Sequence, residues 1–471
     1  MINSGFHKLV LASLAMATPC AISAAQDGPP QEKTDGTTAK TDTVSDTELL
    51  PVPDQIDLPP KPVVLKWPKI QKAEPTLPPT TTRLATEPRY GRKSIFVSAD
   101  KTIIQLVGQI EQGVANRLAE ELEANPNVKT LVLTSEGGLL IEGAGLAHLV
   151  RKYNLNTHVE ILCASACTFP LLAGKIRSLS PGALVGFHQA STFISPILAS
   201  GAQTADEPGS RMMQNVYAGA KLGQPFIDKA LSTPPNDLWF PDTAMLQANA
   251  VITRIASPDE FPFALGSWAS AGDFIRELNR DPLWIAAREG KPEHYRMALA
   301  AGWNAAASDK DKASSKRAAH NLLIRRLLSD ARAYPDELLL EFAAQQFSIW
   351  DEMGYDQRKL DCEYSMAFRI PIAVSDDEAI KKQQLALYKK MIASPADLSL
   401  PDMATRTQAQ AEILSFWGVM VAEFNYTSFN VAANFCREPV GYFEQLAKMP
   451  EAERVQLLRS LLLMQSATIR G

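Results

Sequence analysis

Residues 160–175 read EILCASACTFPLLAGK. The apolar run through Ile161 and Leu162 continues THV and has the length of a buried strand, while TFPLLAG after it has helical character. Ser165 stands at the handover, flanked by Ala164 and Ala166 and bracketed by Cys163 and Cys167. A serine between alanines usually reflects tight packing. Where a strand hands over to a helix, though, unpaired N–H groups lie open to a reacting group, which makes Ser165 a candidate nucleophile.

The same alternation extends on both sides. KTIIQLVGQI reads as a strand ending in a glycine turn, and VANRLAEELEAN has helical spacing with Val114, Leu118 and Leu122 on one face. KTLVLTS is a short continuous apolar strand of the kind buried on both faces of a parallel sheet. The pair Gly137 and Gly138 follows it, then the helix-like LLIEGAGLAHLVRKY, the strand THVEIL, the serine segment and the strand ALVGFH. Such repetition predicts an α/β domain with a mostly parallel sheet and flanking helices over residues 93–256.

Three features of this region combine: a Gly-Gly turn after one strand, Ser165 after the next, and His188 in GFHQ. Histidine is scarce, six in the chain, and a lone histidine after an apolar strand is by default structural. A serine hydroxyl needs a base within about 3 Å, and that base needs a group to hold its tautomer. His188 is the candidate base.

Elsewhere the chain changes texture. MINSGFHKLVLASLAMATPCAISAA, residues 1–25, has a basic start, a short apolar run and small residues at its end, which predicts a secretory signal and an exported, periplasmic or secreted protein. Residues 26–92 are rich in Pro, Thr and Asp without an apolar period, as in a disordered tether, and their PVVLKWPKI patch is a candidate docking segment. Residues 257–471 predict an all-α domain: DELLLEFAAQQFSIWDEM, DEAIKKQQLALYKKMIA, QAQAEILSFWGVMVAEF and EAERVQLLRSLLLMQ carry apolar residues at helical spacing. Trp268, Trp284, Trp303, Trp350 and Trp417 read there as core packing.

Composition excludes other classes. With a net charge of -5 and no basic stripe, nucleic acid is not an expected partner. Asp361, Glu363 and Glu378 lack metal-ligand spacing, and no phosphate or dinucleotide fingerprint occurs, so neither metal nor cofactor is expected. No segment after the signal reaches the length of a membrane span. Beyond the signal, Cys163, Cys167, Cys362 and Cys436 permit three disulfide pairings in an oxidising compartment, of which Cys163–Cys167 with Cys362–Cys436 is the favoured one.

Taken in order, TSEGGLLIEGAGLAHLV, ASACTFPLLAGKIRSLSPGALVGFHQ and NDLWFPDTAMLQANAVIT resemble the proteolytic subunit of Clp protease and its relatives in the Clp/crotonase superfamily, nearest to exported members with a Cys-x-Ser-Ala-Cys segment. The resemblance covers about a third of the chain, Ile103 to Ile255. It implies a serine peptidase in which Ser165 is the nucleophile, His188 the base, and the N–H groups of Gly138 and Ala166 the oxyanion hole. It implies Asp237 as the acid, with Asp242 as runner-up, peptides or unfolded segments as substrate, and a homo-oligomer, whose assembly into rings the sequence leaves open. Glu136 departs from the family, which has proline before Gly-Gly. An exported protein has no ATP supply, so proteolysis would be ATP-independent. The alternative is a catalytically inactive scaffold that binds peptides or assembles complexes. Serine–lysine relatives make Lys175 a further candidate base.

Overall fold

A computed structural model describes residues 94–193, 203–205, 207–235, 237–308, 311–330, 333–352, 378–395, 405, 407–409, 411–413, 415–416 and 445–469. The signal and tether segments, Asp361, Cys362, Glu363, Trp417 and Cys436 lie outside them, as does the side chain of Trp350.

The expected mostly parallel sheet with flanking helices is present. Strands β1 (Ile95–Val97), β2 (Ile103–Val107), β3 (Thr130–Ser135), β4 (Asn156–Ala164), β5 (Arg177–Leu179), β6 (Leu184–Gly186) and β9 (Arg254–Ile255) form one seven-stranded sheet, in the order β1-β2-β3-β4-β5-β9. All pairings are parallel except β1 with β2, and β6 lies against the last residues of β4, beyond β5. A separate antiparallel pair, β7 (Ser191–Phe193) with β8 (Gln203–Ala205), follows His188.

Helices α1 (Val114–Ala124), α2 (Leu140–Lys152) and α3 (Thr168–Ala173) cover one face. The sequence period sets this: α1 buries Val114, Leu118 and Leu122, and every residue of β3 is buried because helices lie on both sides of it. The start of α1 is satisfied from a neighbour, since the Glu142 carboxylate of α2 accepts the N–H groups of Gly113 and Ala115 at 2.8 and 3.0 Å.

The other face is covered by α9 (Pro292–Ser308), which packs across β2, β3 and β4. Packed against α9 are α7 (Ala271–Leu278), α8 (Pro282–Gly290) and α10 (Lys312–Ser329), while α11 (Asp336–Glu352) packs against further helices at Glu378–Ala393 and Glu451–Ile469. Side-chain caps fix several starts: Ser270, Asp281 and Asp311 accept the N–H groups of Asp273, Leu283 and Ala313. Trp268, Trp284 and Trp303 are buried in this core, as their reading as packing residues expects. The same apolar cluster holds Val107, Ile161, Leu162 and Ala164 of the sheet, so the residues before and after 256 share a core. Among the described residues no helix is long and apolar enough to cross a membrane.

Cys163 and Cys167 form a disulfide with Cα atoms 5.4 Å apart, and both are fully buried. The bond closes a small loop under Ser165 and stiffens it. Replacing both cysteines by alanine is expected to lower stability by about 2 kcal/mol from loop-closure entropy, to be read as a shift in the urea midpoint without change in slope.

Candidate active site

Register brings the candidate residues together. Along β3 and β4 the pairing is regular to Leu133 opposite Val159, then shifts so that Ser135 lies opposite Cys163. Two residues further on each strand stand Gly137 and Ser165. A Cβ placed on Gly137 would come 2.6 Å from the Ser165 Cβ and 2.7 Å from the Ala164 carbonyl. On the other side β6 pairs Ala164 with Gly186, which carries the chain two residues on to His188. The glycine turn, the serine and the histidine thus emerge at the same edge of the sheet, where parallel α/β folds place their sites.

Ser165 begins a 3-10 turn, Ser165–Cys167, with φ at 55°. A non-glycine residue in this left-handed region costs roughly 1–2 kcal/mol. Strain of that kind is characteristic of functional turns. The side chain is half-buried, and its hydroxyl makes no hydrogen bond among the described residues, including with His188.

The N–H groups of Gly138 and Ala166 stand ready. Ile110 donates to the Gly137 carbonyl at 2.7 Å and Leu139 donates to the Ile110 carbonyl at 2.9 Å, which leaves the intervening Gly138 N–H without a partner among the described residues. Ala166 is the second residue of its turn, too early for its N–H to be used by a 3-10 pattern. Glu136 in the same turn keeps accessible surface, while the protein atoms surrounding its carboxyl on the other side partly desolvate it. Protein packed around its carboxyl raises its pKa, against its own backbone N–H and with the charge of Glu111, which favours the neutral form.

The His188 ring donates from Nδ1 to the Pro235 carbonyl at 2.9 Å. A proton fixed on Nδ1 leaves the lone pair on Nε2, the tautomer a base needs. Burial lowers the pKa of His188, opposed by the Pro235 carbonyl and by the charge of Asp237. Asp237 does not hydrogen-bond the imidazole: its carboxylate accepts the Leu238 N–H at 2.8 Å and acts on the ring through space. Asp242 caps helix α6 (Thr243–Ala248), accepting the Met245 N–H at 2.7 Å. Lys175 is exposed, and its N–H meets the carbonyl of Leu155 at the start of β4, whereas Ser165 lies past the end of that nine-residue strand.

Several residues near the site carry no sequence signal. Ile110 holds the glycine turn, and Pro235 binds the imidazole through its backbone alone. The carboxyl of Glu293 in α9 has a raised pKa, chiefly from desolvation, with the charge of Asp237 adding to the rise and Arg326 opposing it.

The pH dependence follows from His188. Its protonated form cannot act as base, and its pKa lies below the ordinary value of 6.5. If His188 serves as a general base, the activity it supports would rise with pH through a midpoint below 6.5 and be level by neutrality. Asp237→Asn removes a charge that favours the imidazolium, so a kcat/KM profile should place its midpoint lower still. The same shift makes folding weaker in acid: stability contributed by neutral His188 is present above pH 6.5 and is lost as pH falls toward its folded-state pKa.

No family model matches the chain, and no curated protein matches it either. Among solved structures it is similar to ClpP1 from Listeria monocytogenes, at 18% identity over 34% of this chain and 92% of that one, with a TM-score of 0.28. The ClpP protease catalytic domain from Plasmodium falciparum is 19% identical over 34% of this chain and 86% of that one, with a TM-score of 0.26. A serine-to-alanine mutant of the 1510-N membrane-bound stomatin-specific protease is 13% identical over 32% of this chain and 77% of that one, with a TM-score of 0.27.

Proposed function

We propose that this protein is an exported, ATP-independent serine peptidase acting on peptides or unfolded protein segments. The observation that carries the reading is the position of Ser165: a left-handed serine at a strand-to-helix turn, pressed against a Gly-Gly turn, at the sheet edge where His188 presents a lone-pair nitrogen. In this mechanism the Ser165 Oγ attacks the scissile carbonyl carbon while its proton passes to His188 Nε2. The carbonyl oxygen, now negative, is received by the N–H groups of Gly138 and Ala166. As the tetrahedral intermediate collapses, the imidazolium gives its proton to the leaving amine. Water then attacks the acyl ester by the same path in reverse.

In this reading the roles usually combined in one carboxylate are divided. The Pro235 carbonyl holds the tautomer, and Asp237 stabilises the imidazolium by its charge. Homo-oligomerisation, the signal of residues 1–25 and the second disulfide, Cys362–Cys436, are part of the same proposal and rest on the sequence. An inactive, peptide-binding scaffold is the competing reading, and it draws on the missing hydrogen bond between Ser165 and His188. Catalytic hydrogen bonds often form only with substrate bound, so the gap is compatible with activity. Fluorophosphonate labelling of the purified mature protein decides between them. Labelling lost in both Ser165→Ala and His188→Ala supports the peptidase; no labelling of folded wild-type protein leaves the scaffold.

A further inference from the structure

The Ser165 carbonyl belongs to the same peptide unit as the Ala166 N–H, so whatever grips that carbonyl also aims the N–H. It accepts from the Thr168 hydroxyl at 2.7 Å and also from the Thr168 backbone N–H. The Thr168 oxygen is in turn 3.2 Å from the phenol of Tyr217. A threonine hydroxyl has one proton, spent here on the Ser165 carbonyl, so the phenol must be the donor of the second bond. The chain of hydrogen bonds therefore runs one way: Tyr217 to Thr168 to the Ser165 carbonyl. Both side chains are fully buried.

We propose that Thr168 and Tyr217 are positioning residues of the oxyanion hole: together they fix and polarise the Ser165–Ala166 peptide unit so that its N–H faces the oxygen that becomes negative. The proposal rests on the serine-peptidase reading of the site.

A threonine hydroxyl bonded to a carbonyl three residues back is common local capping, and taken alone it would need no further explanation. The phenol is not local. It comes from α4 (Glu207–Gly219), 49 residues away, and a local cap has no use for it. Its ring is held edge-on between Phe169, which follows Thr168, and Phe187, which precedes His188. One tyrosine thus braces the nucleophile's peptide through its oxygen and the strand that delivers the base through its ring. Successive hydrogen bonds strengthen one another by about 10–30% each, so loading the carbonyl makes the N–H on the other side of the peptide a better donor. The left-handed conformation of Ser165 is unfavourable by itself and persists only where its surroundings hold it. Burial raises the Tyr217 pKa, which keeps the phenol protonated and donating at all working pH values.

The test is steady-state hydrolysis of a quenched fluorescent peptide, with thermal unfolding run in parallel, for wild type, Ser165→Ala, Thr168→Val, Thr168→Ser and Tyr217→Phe. Outright removal of an oxyanion donor costs about 10²–10³ in kcat, and misaiming one should cost less. Thr168→Val is expected to lower kcat by roughly 10- to 100-fold and to leave KM within about threefold. Thr168→Ser, which keeps the hydroxyl, should restore most of the rate. Tyr217→Phe deletes one oxygen and keeps the packed ring, so it reports on the hydrogen bond even where Thr168→Val folds poorly; it should lower kcat by roughly 3- to 10-fold. A merely structural role would lower the melting temperature and spare kcat. Undiminished kcat in folded Thr168→Val and Tyr217→Phe, beside Ser165-dependent turnover in wild type, overturns the positioning role alone. Folded wild-type protein without Ser165-dependent turnover overturns the peptidase reading and the positioning role with it.

Discussion

Under the peptidase reading, Ser165→Ala is expected to reduce peptide hydrolysis by roughly four to six orders of magnitude and to abolish fluorophosphonate labelling, because it deletes the nucleophile that the Gly138 and Ala166 N–H groups would serve. The residual rate should reflect the oxyanion hole and substrate binding alone. Stability should move little, since the Ser165 hydroxyl is without a hydrogen bond among the described residues and alanine meets the same left-handed backbone. That combination, a lost rate in a protein that melts where wild type melts, separates chemistry from folding. Full activity in Ser165→Ala would remove Ser165 from the mechanism.

Gly137→Ala is expected to have the largest combined effect on folding and rate. Its φ is 105°, and the added methyl would lie 2.6 Å from the Ser165 Cβ, 2.7 Å from the Ala164 carbonyl and 3.2 Å from the Ala166 nitrogen. None of these neighbours is the free end of a flexible side chain, so the turn or the nucleophile must move. Overpacking and backbone strain each cost about 1–3 kcal/mol, which predicts a loss of roughly 2–5 kcal/mol in chemical denaturation. Whatever fraction folds should be slowed by at least about a hundredfold, since the displacement falls on the nucleophile and on one oxyanion donor together. A folded Gly137→Ala protein with wild-type kcat would show that the two turns do not need their close approach.

Local order was legible in the sequence where one element's own residues decide it. The period of Val114, Leu118 and Leu122 gave the inner face of α1, and the unbroken apolar run of Thr130–Ser135 gave a strand covered on both sides. Cys163 and Cys167, four residues apart across a strand-to-helix turn, are bridged as expected. The antiparallel β1 is only three residues long and carries no pattern of its own. Burial of α9 on nearly every side came from the sheet below it and from α10, both remote in sequence.

Period, turn chemistry and chain order were enough to show the alternation of strands and helices, Ser165 at a handover and His188 at the end of a strand; the structure ends that strand two residues earlier, at Gly186. Which groups meet depends on packing between elements remote in sequence. The slip in register between Leu133 and Ser135 sets Gly137 against Ser165, and a slip of that kind is fixed by packing between strands. The partner of the His188 ring is the Pro235 carbonyl, a backbone atom that any residue type supplies, while Asp237 turns its carboxylate to its own chain. Thr168 and Tyr217 meet across 49 residues because α4 folds back onto α3. Side-chain identity is written locally; hydrogen-bond partnership is decided by the three-dimensional competition of every donor and acceptor within reach.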